Sequence, residues 1–429
     1  MTDGLDEAAP RRIRPLWTVL TLVVLLLFTC GVPAALLTAA IREPDGRAVV
    51  QRAGSPAGDP ATRAARDLAA RIAAALERQS AALLAGDQAG FLAVAEPTAH
   101  VDLRRRFNAL RALQVSTWRA EVTGLPTALP DRPGEWRILV RFQYCFAAPG
   151  CRPSPVLAGT RWRDAGQQPR LVAVEESKSA ETGTRPWEVD ELVVSTGART
   201  TVATTPALRG KLPALLAQAE AAAKVADRYA VAGSPPDRYR IYYAGRAEWE
   251  RWYGGGRPKW TGGYAVNVGG GHHEVVINAD GTTAAGLDDL LRHELTHAAS
   301  LPEQGYPGKA TWWLVEGLAE YAGSDGQPVS RYQGLAQVRE LVRGGWNGRL
   351  DGLAPDDDAP AARVAGSYGL GYLAVRHLVD RFGEQRLLAF VAAVLHDRTP
   401  PEQAAEQVFG EAWSALHSQC VAYIRTLAA

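Results

Sequence analysis

The sequence predicts an α+β protein in which an N-terminal membrane-spanning helix precedes two folded parts. Three observations predict this class. A charge-free apolar run covers residues 16–41, helical periodicity followed by strand-like runs covers 62–178, and strands and helices mix again over 187–429. The polar stretch 177–186, punctuated by Gly and Pro, separates the two folded parts.

The composition excludes extended disorder as the main state and gives no sign of a nucleic-acid partner. Of 429 residues, 47% are hydrophobic, which is enough to form cores for two or three domains. The 47 basic and 46 acidic residues give a formal charge of +1. No overall field would therefore attract nucleic acid.

The apolar run predicts a single-pass cell-membrane protein. Leu16 to Ile41 contains no charged residue and exceeds the roughly 20 residues that a helix needs to cross a bilayer. We expect a cytoplasmic tail at 1–15, an uncleaved anchor at 16–41, a linker at 42–61 and an extracytoplasmic remainder. Arginines on both sides of the run weaken the orientation signal.

A cleaved signal peptide is the alternative interpretation of the same run. Gly31 and Pro33 interrupt the apolar residues, and Thr38-Ala39-Ala40 offers small residues at which cleavage could occur. The uncleaved anchor is favoured because the stretch from Leu16 to Phe28 is continuous and is extended by further apolar residues.

Two cysteines bracket a turn-like loop. Cys145 and Cys151 flank Phe-Ala-Ala-Pro-Gly, and a short disulfide across this turn would be natural in an oxidising compartment. Two unpaired thiols are the alternative.

The first folded part predicts helices followed by a strand meander. Arg63 to Leu84 has the helical period, and four strand-like runs follow it. These runs are Ser116–Val122, Trp136–Phe146, Val156–Arg163 and Leu171–Glu175. In the order of its elements this part, about residues 62–178, resembles the nuclear transport factor 2-like cone fold. That fold serves as a binding pocket, a dimer module or a spacer, so it assigns no function by itself.

The second part, residues 187–429, predicts mixed strands and helices and then a helical C-terminal lobe. We expect two strands within Glu188–Ala203, a helix over Ala207–Tyr229 and a strand over Arg238–Tyr243. A glycine-joined strand pair then precedes a helix over Gly286–Ala299. Four further helical segments are Tyr372–Phe382, Glu384–His396, Pro401–Phe409 and Ala412–Leu427.

The helix over 286–299 carries a metal-ligand pattern, His293-Glu294-Leu295-Thr296-His297. Residues four apart share a helix face, so His293 and His297 can bind one ion while Glu294 addresses a water beside it. Two imidazoles and a carboxylate that leave one position open form the catalytic type of zinc site.

A second helix supplies the expected third ligand. Glu316 follows His297 after 18 residues, within an otherwise apolar Trp-Leu-Val-Glu-Gly-Leu run. Glu320 lies one turn later and could accept the other ring N–H of a ligand histidine. The alternative is that both glutamates are solvated helix carboxylates.

These residues resemble the gluzincin metallopeptidases, the clan of thermolysin and aminopeptidase N. The match comprises His-Glu-x-x-His, 18 residues, and Trp-Leu-x-Glu-Gly-x-Ala-x-Tyr in the same order. It implies a thermolysin-like α+β peptidase domain, a Zn²⁺ cofactor and a peptide or protein substrate. The stretch Ser367-Tyr368-Gly369-Leu370-Gly371-Tyr372 resembles the segment that carries the oxyanion-stabilising tyrosine, which makes Tyr368 the candidate and Tyr372 the fallback. Core packing is the alternative role for either tyrosine.

One departure from that clan bears on specificity. Aminopeptidase N-like enzymes carry a Gly-Ala-Met-Glu-Asn edge strand whose glutamate holds the substrate amine, and this string is missing here. Glu274 is the only acidic residue in the two strands before the motif, so we expect an endopeptidase. His272 and His273, adjacent on a strand, should point to opposite faces and are expected to be a polar strand end rather than ligands.

The chain also resembles the small membrane-tethered, peptidase-MA-like proteins of actinobacteria. The resemblance covers residues from about 187 to 429 and implies a membrane-anchored zinc peptidase. The alternative function is an inactive membrane-tethered binding or scaffold protein that uses the cone-like domain. The intact base Glu294 argues against that alternative.

Overall fold

The structure, a computed structural model, describes residues 59–429 except positions 149, 165, 167, 178–181, 232, 234, 306 and 307. The predicted tail at 1–15, the predicted membrane helix at 16–41 and most of the predicted linker at 42–61 lie outside the described residues. Asp59 to Ala429 form one unit of the chain. The domain boundaries drawn at 178 and 187 stay a prediction.

The predicted cell-membrane localisation is wrong, because none of the described helices is both long and apolar enough to cross a bilayer. The helices Pro60–Ala85 and Ala361–Phe382 reach the length of a membrane span but carry charges along it. Arg71 of the first and Arg376 of the second both form ion pairs with aspartates. Placing such charges in lipid would be costly.

The first part of the described chain packs three helices on an antiparallel sheet. Its elements are α1 (Pro60–Ala85), α2 (Gln88–Ala93), α3 (His100–Ala112), β1 (Val115–Ala128), β2 (Glu135–Phe146), β3 (Ser154–Arg163) and β4 (Arg170–Val174). The strands lie in the order β1-β2-β3-β4, and α1 packs against β1. This confirms helices followed by a strand meander, while the cone-like assignment stays a prediction.

Side-chain alternation along β2 builds the core of this part. Ile138, Val140, Phe142 and Tyr144 are buried on one face of the strand and join Ile72 of α1 in one hydrophobic cluster. At the end of β2, the predicted disulfide between Cys145 and Cys151 is formed in the structure.

The second part contains a mixed five-stranded sheet. Its elements are α4 (Pro186–Val189), β5 (Val193–Thr196), β6 (Thr200–Thr204), α5 (Leu212–Ala226), β7 (Tyr239–Ala244), α6 (Arg246–Arg251), β8 (Gly263–Gly269) and β9 (His272–Asn278). The strand order is β5-β6-β7-β9-β8. The pairs β6-β7 and β7-β9 are parallel, whereas β5 and the edge strand β8 pair antiparallel to their neighbours.

Helices make up the rest of the described chain. They are α7 (Ala284–Ser300), α8 (Trp312–Ser324), α9 (Leu335–Arg343), α10 (Ala361–Phe382), α11 (Glu384–Val391), α12 (Pro401–Phe409) and α13 (Trp413–Ala428). Between α11 and α12, a π-helical turn spans Ala392–His396. The apolar faces of α8 to α13 form one cluster around residues such as Leu314, Leu373 and Phe390. The predicted helical C-terminal lobe is therefore confirmed.

The five-stranded sheet lies between α5 and α7 on one side and the first part on the other. Val275 and Ile277 of β9 pack against Leu291 of α7, whereas Val276 points the opposite way and joins the cluster that contains Val140 of β2. One hydrophobic cluster thus contains residues of both parts.

Two local expectations differ from the structure. Within the expected strand pair at 188–203, Pro186–Val189 forms a short helix before β5, and the proline fits its first turn. The expected helix over 207–229 begins with a 3₁₀ turn at Pro206–Lys211, and the α-helix starts only at Leu212.

Candidate metal centre

Helix α7 places two buried histidines one turn apart beneath the sheet. The helix begins after Thr283, whose hydroxyl accepts a hydrogen bond of 3.1 Å from the backbone N–H of Gly286. His293 and His297 lie on its inner face, with their ring centres 4.7 Å apart. Both side chains are almost fully buried.

Helix α8 brings Glu316 to the same point. One carboxylate oxygen of Glu316, Oε2, lies 3.2 Å from Nε2 of His293 and 3.2 Å from Nε2 of His297. The two Nε2 atoms are 3.0 Å apart. The three atoms that the sequence predicted as metal ligands therefore form a nearly equilateral triangle, and these residues form a group able to hold a metal ion.

The dimensions and chemistry of this triangle fit zinc. In a tetrahedral site with bonds of about 2.0–2.1 Å, ligand atoms lie about 3.3–3.4 Å apart, a few tenths of an ångström more than observed here. Nδ1 of His293 lies 3.0 Å from Oε1 of Glu320, and a carboxylate can only accept, so Nδ1 carries the proton. When the ring is neutral, Nε2 therefore carries a lone pair that faces Oε2 of Glu316. Acceptor atoms that converge in this way are stabilised by a cation between them.

The electrostatics of the ligands agree with a cation site. Burial lowers the pKa of His293, but the protonated ring can donate hydrogen bonds to both Glu316 and Glu320, and these outweigh burial and raise this pKa well above its ordinary value. Burial also raises the pKa of Glu316, yet the two histidines hold it at about 2. The group thus concentrates negative charge where a positive ligand, a proton or a metal ion, is stabilised.

A close helix contact holds α8 in place. A Cβ on Gly317 would lie 2.5 Å from the carbonyl oxygen of Gly371 in α10, so only glycine permits this approach. Glu316 immediately precedes Gly317, so the close approach of α8 to α10 fixes the position of the third ligand. Glu316 and Tyr368 of α10 line the same cavity.

Outside the ligands, a hydrogen-bond chain orients His293. Glu320, predicted for this role, lies beside Nδ1 of His293, and its second oxygen accepts a bond of 2.6 Å from the hydroxyl of Tyr332. Tyr332 lies after α8 and stacks on Tyr372 with ring centres 4.3 Å apart. Sequence reasoning missed Tyr332, because no local pattern links it to the motif.

Glu294 lies beside the ligands with one oxygen free for chemistry. Its side chain is buried, and Oε2 has no hydrogen-bond partner among the described residues. Burial raises the pKa of this carboxyl, and the neighbouring histidines offset only part of the rise. Gly263 of β8 packs directly on it: a Cβ there would lie 2.8 Å from Oε1 of Glu294.

The two candidate tyrosines differ in where they lie. The ring of Tyr368 is 5.9 Å from the ring of His293 and 4.9 Å from that of Trp312, and Tyr368 lines both cavities that border His293. Tyr372 is 0% exposed, and its hydroxyl has no partner in the described part of the chain. Its position favours core packing for Tyr372 and leaves Tyr368 as the tyrosine that faces the site.

The ligands lie where two arms of a cleft meet. The narrow arm, of about 430 Å³, includes Trp260, Asp289, Tyr332, Val364 and Tyr368 in its lining. The wide arm, of about 930 Å³, includes Arg141, Pro155, Arg185, Arg257, Tyr264, His273 and Glu303 in its lining. His293, Glu294 and Tyr368 border both arms. The wide arm runs between β3 of the first part and the edge strand β8.

Three other residues considered from the sequence lie away from the ligand triangle. Glu274 is 0% exposed, bonded by the hydroxyl of Tyr253 and 3.9 Å from Arg240, on the sheet face opposite α7. Nε2 of His272 lies 3.0 Å from the carbonyl oxygen of Arg152. His273 borders the wide arm, and burial lowers its pKa to about 4. Neither His272 nor His273 belongs to the ligand group.

No protein-family model matches the sequence, and no curated protein matches it. Among solved structures, the chain is similar to native yeast LTA4 hydrolase, with 13% identity, 70% of this chain and 43% of that chain covered, and a TM-score of 0.37. It is also similar to an M1 zinc metallopeptidase from Deinococcus radiodurans, with 16% identity, 73% and 61% covered, and a TM-score of 0.32.

A variant of that bacterial enzyme, bound to a Tyr-Ser-Ala substrate, has 14% identity, 73% and 61% coverage, and a TM-score of 0.33. The chain thus spans 43% to 61% of the length of these structures. The two bacterial structures are described as zinc metallopeptidases, the enzyme and metal class that the sequence predicts.

Proposed function

We propose that the chain is a zinc-dependent endopeptidase that hydrolyses internal peptide bonds. The observation that carries the proposal is the convergence of His293, His297 and Glu316 on one point, with Glu294 beside it, in a cleft. A structural zinc site would be closed by a fourth protein ligand, whereas here the described ligand group has three members.

The chain's own residues would divide the work of hydrolysis. When bound, Zn²⁺ would supply Lewis acidity, polarising the scissile carbonyl and making a water molecule more acidic. Glu294 accepts a proton as the water oxygen attacks the carbonyl carbon, and passes it to the leaving nitrogen as the C–N bond breaks. The raised pKa of Glu294 suits a group that must take and return a proton.

Tyr368 is proposed to donate a hydrogen bond to the carbonyl oxygen as negative charge develops there. Its place on both arms of the cleft and beside His293 supports that role. Glu320 and Tyr332 orient His293 and do not touch the substrate in this scheme.

Two features favour internal cleavage over removal of one terminal residue. Two cavities meet at His293, Glu294 and Tyr368, which offers room for peptide beyond the scissile bond in both arms of the cleft. The edge strand β8 carries no acidic residue, and Glu274 is sequestered by Tyr253 and Arg240. A buried substrate amine would need a carboxylate partner, because an unpaired buried charge is costly.

Apart from the proposed base Glu294, the acidic residues that line the narrow arm are already engaged. Asp289 accepts hydrogen bonds from Arg292 and Gln333, and Glu320 is bonded to Tyr332 and His293. Neither carboxylate is free to anchor an amine without losing these partners. An aminopeptidase would need such an anchor.

The test combines metal analysis with peptide cleavage. We expect about one zinc per purified chain, the occupancy of a single site. His293→Ala should lose the ion, and Glu294→Gln should keep it but lose hydrolysis. Substrates with acetylated N-termini should be cut as well as free ones. Protein that binds no added zinc, or turnover abolished by acetylation, would refute the metal site and the endopeptidase assignment respectively.

A further inference from the structure

The two arms of the cleft differ in charge. Apart from the ligand and catalytic groups, the wide arm is lined by three arginines, at 141, 185 and 257, and by one acidic residue, Glu303. Glu303 forms an exposed ion pair of 2.7 Å with Arg152, and the three arginines outnumber this one carboxylate in the lining. The wide arm therefore presents excess positive charge next to the ligand triangle.

Arg257 is held in place without a carboxylate. Its guanidinium carbon lies 4.1 Å from the centre of the Tyr264 ring, and Nη2 donates a hydrogen bond of 3.2 Å to the carbonyl oxygen of Tyr253. Its Nε is buried and has no hydrogen-bond partner in the described chain. Stacking and one neutral hydrogen bond fix the side chain but leave its charge and some donors unused.

Arg185 lies more deeply in the wall and also donates no side-chain hydrogen bond to a carboxylate, although the nearby Glu188 favours its charged form. It is 3% exposed, and its side chain donates to two uncharged groups, the hydroxyl of Tyr144 at 3.2 Å and the carbonyl oxygen of Pro155 at 3.0 Å. Its Nη1 is buried without a partner among the described residues. A buried donor on a charged group costs free energy unless something accepts its hydrogen bond.

Arg141 adds charge on the same side of the cleft. It is paired with Glu121 at 3.3 Å, but both side chains are about half exposed, and such pairs are largely screened by water. Arg141 comes from β2 and Arg257 from the segment before β8, so both parts of the chain contribute positive charge to the wide arm.

We propose that the wide arm binds a carboxylate group of the peptide substrate, with Arg257 as its principal partner and Arg185 and Arg141 as support. The inference rests on the proposed function and adds a substrate class to it: peptides with a negative charge on one side of the scissile bond. A guanidinium can bind a carboxylate through two parallel hydrogen bonds, which gives orientation as well as affinity. The carboxylate has two sources, an Asp or Glu side chain and the free C-terminus.

The test uses binding, so that it does not depend on turnover. The zinc-loaded Glu294→Gln protein is titrated with three fluorescent, N-acetylated octapeptides of one length. The first peptide has neutral side chains, including Gln, and a C-terminal amide. The second differs from it only in having Glu in place of each Gln. The third has the neutral side chains of the first and a free C-terminal carboxylate. We expect the second or the third to bind at least about tenfold more tightly than the first, which corresponds to about 1.4 kcal/mol.

Variants identify the residue responsible. Adding Arg257→Gln should reduce the preference to about threefold or less, in line with the loss of one charge-assisted pair. The control Arg246→Gln removes an arginine that is 87% exposed at its side chain, paired with Asp280 and absent from the wide-arm lining, and it should keep the preference. Arg141→Gln, at an exposed strand position, is a second variant with little effect on folding and should weaken the preference in part.

Equal affinity for the three peptides, no binding of any, or a preference that survives Arg257→Gln would overturn the proposal. Preference for the second peptide would identify a side-chain carboxylate as the ligand, and preference for the third would identify the C-terminal carboxylate. The wild-type protein is incubated with the same peptides: if it cuts none while the Glu294→Gln protein still discriminates, the proposed function fails and the carboxylate site stands.

Discussion

The hydroxyl of Tyr332 donates a hydrogen bond of 2.6 Å to Glu320, whose other oxygen lies 3.0 Å from Nδ1 of His293. Three residues from α7, α8 and the segment before α9 thus form one chain that ends at a metal ligand. Such a chain fixes the ring orientation and tautomer of the histidine. Because Glu320 contacts both His293 and Tyr332, loss of the Tyr332 hydroxyl should loosen the hold of Glu320 on His293.

We predict that Tyr332→Phe weakens zinc binding by roughly tenfold, the lower end of the effect of losing an outer-sphere partner of a ligand. The mutation deletes only the hydroxyl and keeps the ring that stacks on Tyr372. Competition against a chelator of known affinity measures the change. Glu320→Gln should weaken binding at least as much, because it alters the group that contacts His293 directly.

Tyr321→Phe is the matched control for that prediction. Its hydroxyl also bonds a glutamate, Glu384 at 3.2 Å, and it neighbours Glu320 on α8, but its bond leads away from the ligands. It should cost stability and leave zinc affinity within about twofold, because its hydroxyl bonds Glu384 and neither Glu320 nor a ligand. Equal zinc affinity for Tyr332→Phe and the wild type would contradict the positioning role.

A second prediction concerns Gly263 and its contact with Glu294. Gly263→Ala places a Cβ 2.8–3.0 Å from the Glu294 side chain, which must move away. Because a shift of about 1 Å in a catalytic group can cost up to roughly a hundredfold in rate, we expect kcat to fall by at least about tenfold with zinc content unchanged. Gly262→Ala is the control, since its Cβ would meet Leu290 at an ordinary 3.5 Å. Unchanged kcat in Gly263→Ala would show that Glu294 tolerates displacement.

Much of the metal centre could be predicted from local sequence patterns. His293 and His297 share a face because they are one helical turn apart, and Glu316 and Glu320 repeat that spacing on the next helix. The distances among the ligands follow once α7 and α8 pack together. The helical period and the order of these residues along the chain were therefore enough to predict the metal ligands.

The remaining features depend on contacts distant in sequence. Alternation predicted that His272 and His273 point to opposite sheet faces, but only the packing of β9 shows that Glu274 faces the first part. The wide arm exists because β3 of one sheet lies beside β8 of the other. No periodicity within either segment could have placed Arg141 and Arg257 in the lining of one cavity.

A third prediction links stability to pH through Glu220 of α5. Its carboxylate accepts hydrogen bonds from the backbone N–H of Thr200 at 2.8 Å and from the hydroxyl of Thr200 at 2.6 Å, at the start of β6. Burial raises the pKa of Glu220, but these bonds outweigh it and leave the pKa below its ordinary value. A depressed folded-state pKa means that the charged form stabilises the fold above the unfolded-state pKa, and that this contribution is lost as pH falls through the folded-state value.

Glu220→Gln should therefore lower the free energy of unfolding by about 1 kcal/mol at pH 7, a modest value because the group is partly exposed and screened. The difference from wild type should shrink as pH falls below about 4.3, the ordinary glutamate pKa. Urea denaturation across this pH range measures it. Glu77→Gln, at an exposed position of α1, is the control and should change stability by less than about 0.5 kcal/mol. A constant difference between wild type and Glu220→Gln at all pH values would contradict the assignment.

The last prediction separates the two tyrosines of α10. Tyr368 borders both arms of the cleft beside His293, so Tyr368→Phe should lower kcat by roughly a hundredfold, the scale of losing one oxyanion donor, with KM little changed. Tyr372→Phe removes a buried hydroxyl without a partner in the described chain. Deleting it should leave kcat within about twofold and keep or slightly raise stability, since an unsatisfied buried group is costly. Steady-state kinetics on one acetylated peptide, with zinc content measured in parallel, compares the pair. A large loss in Tyr372→Phe with none in Tyr368→Phe would assign the oxyanion role to Tyr372 instead.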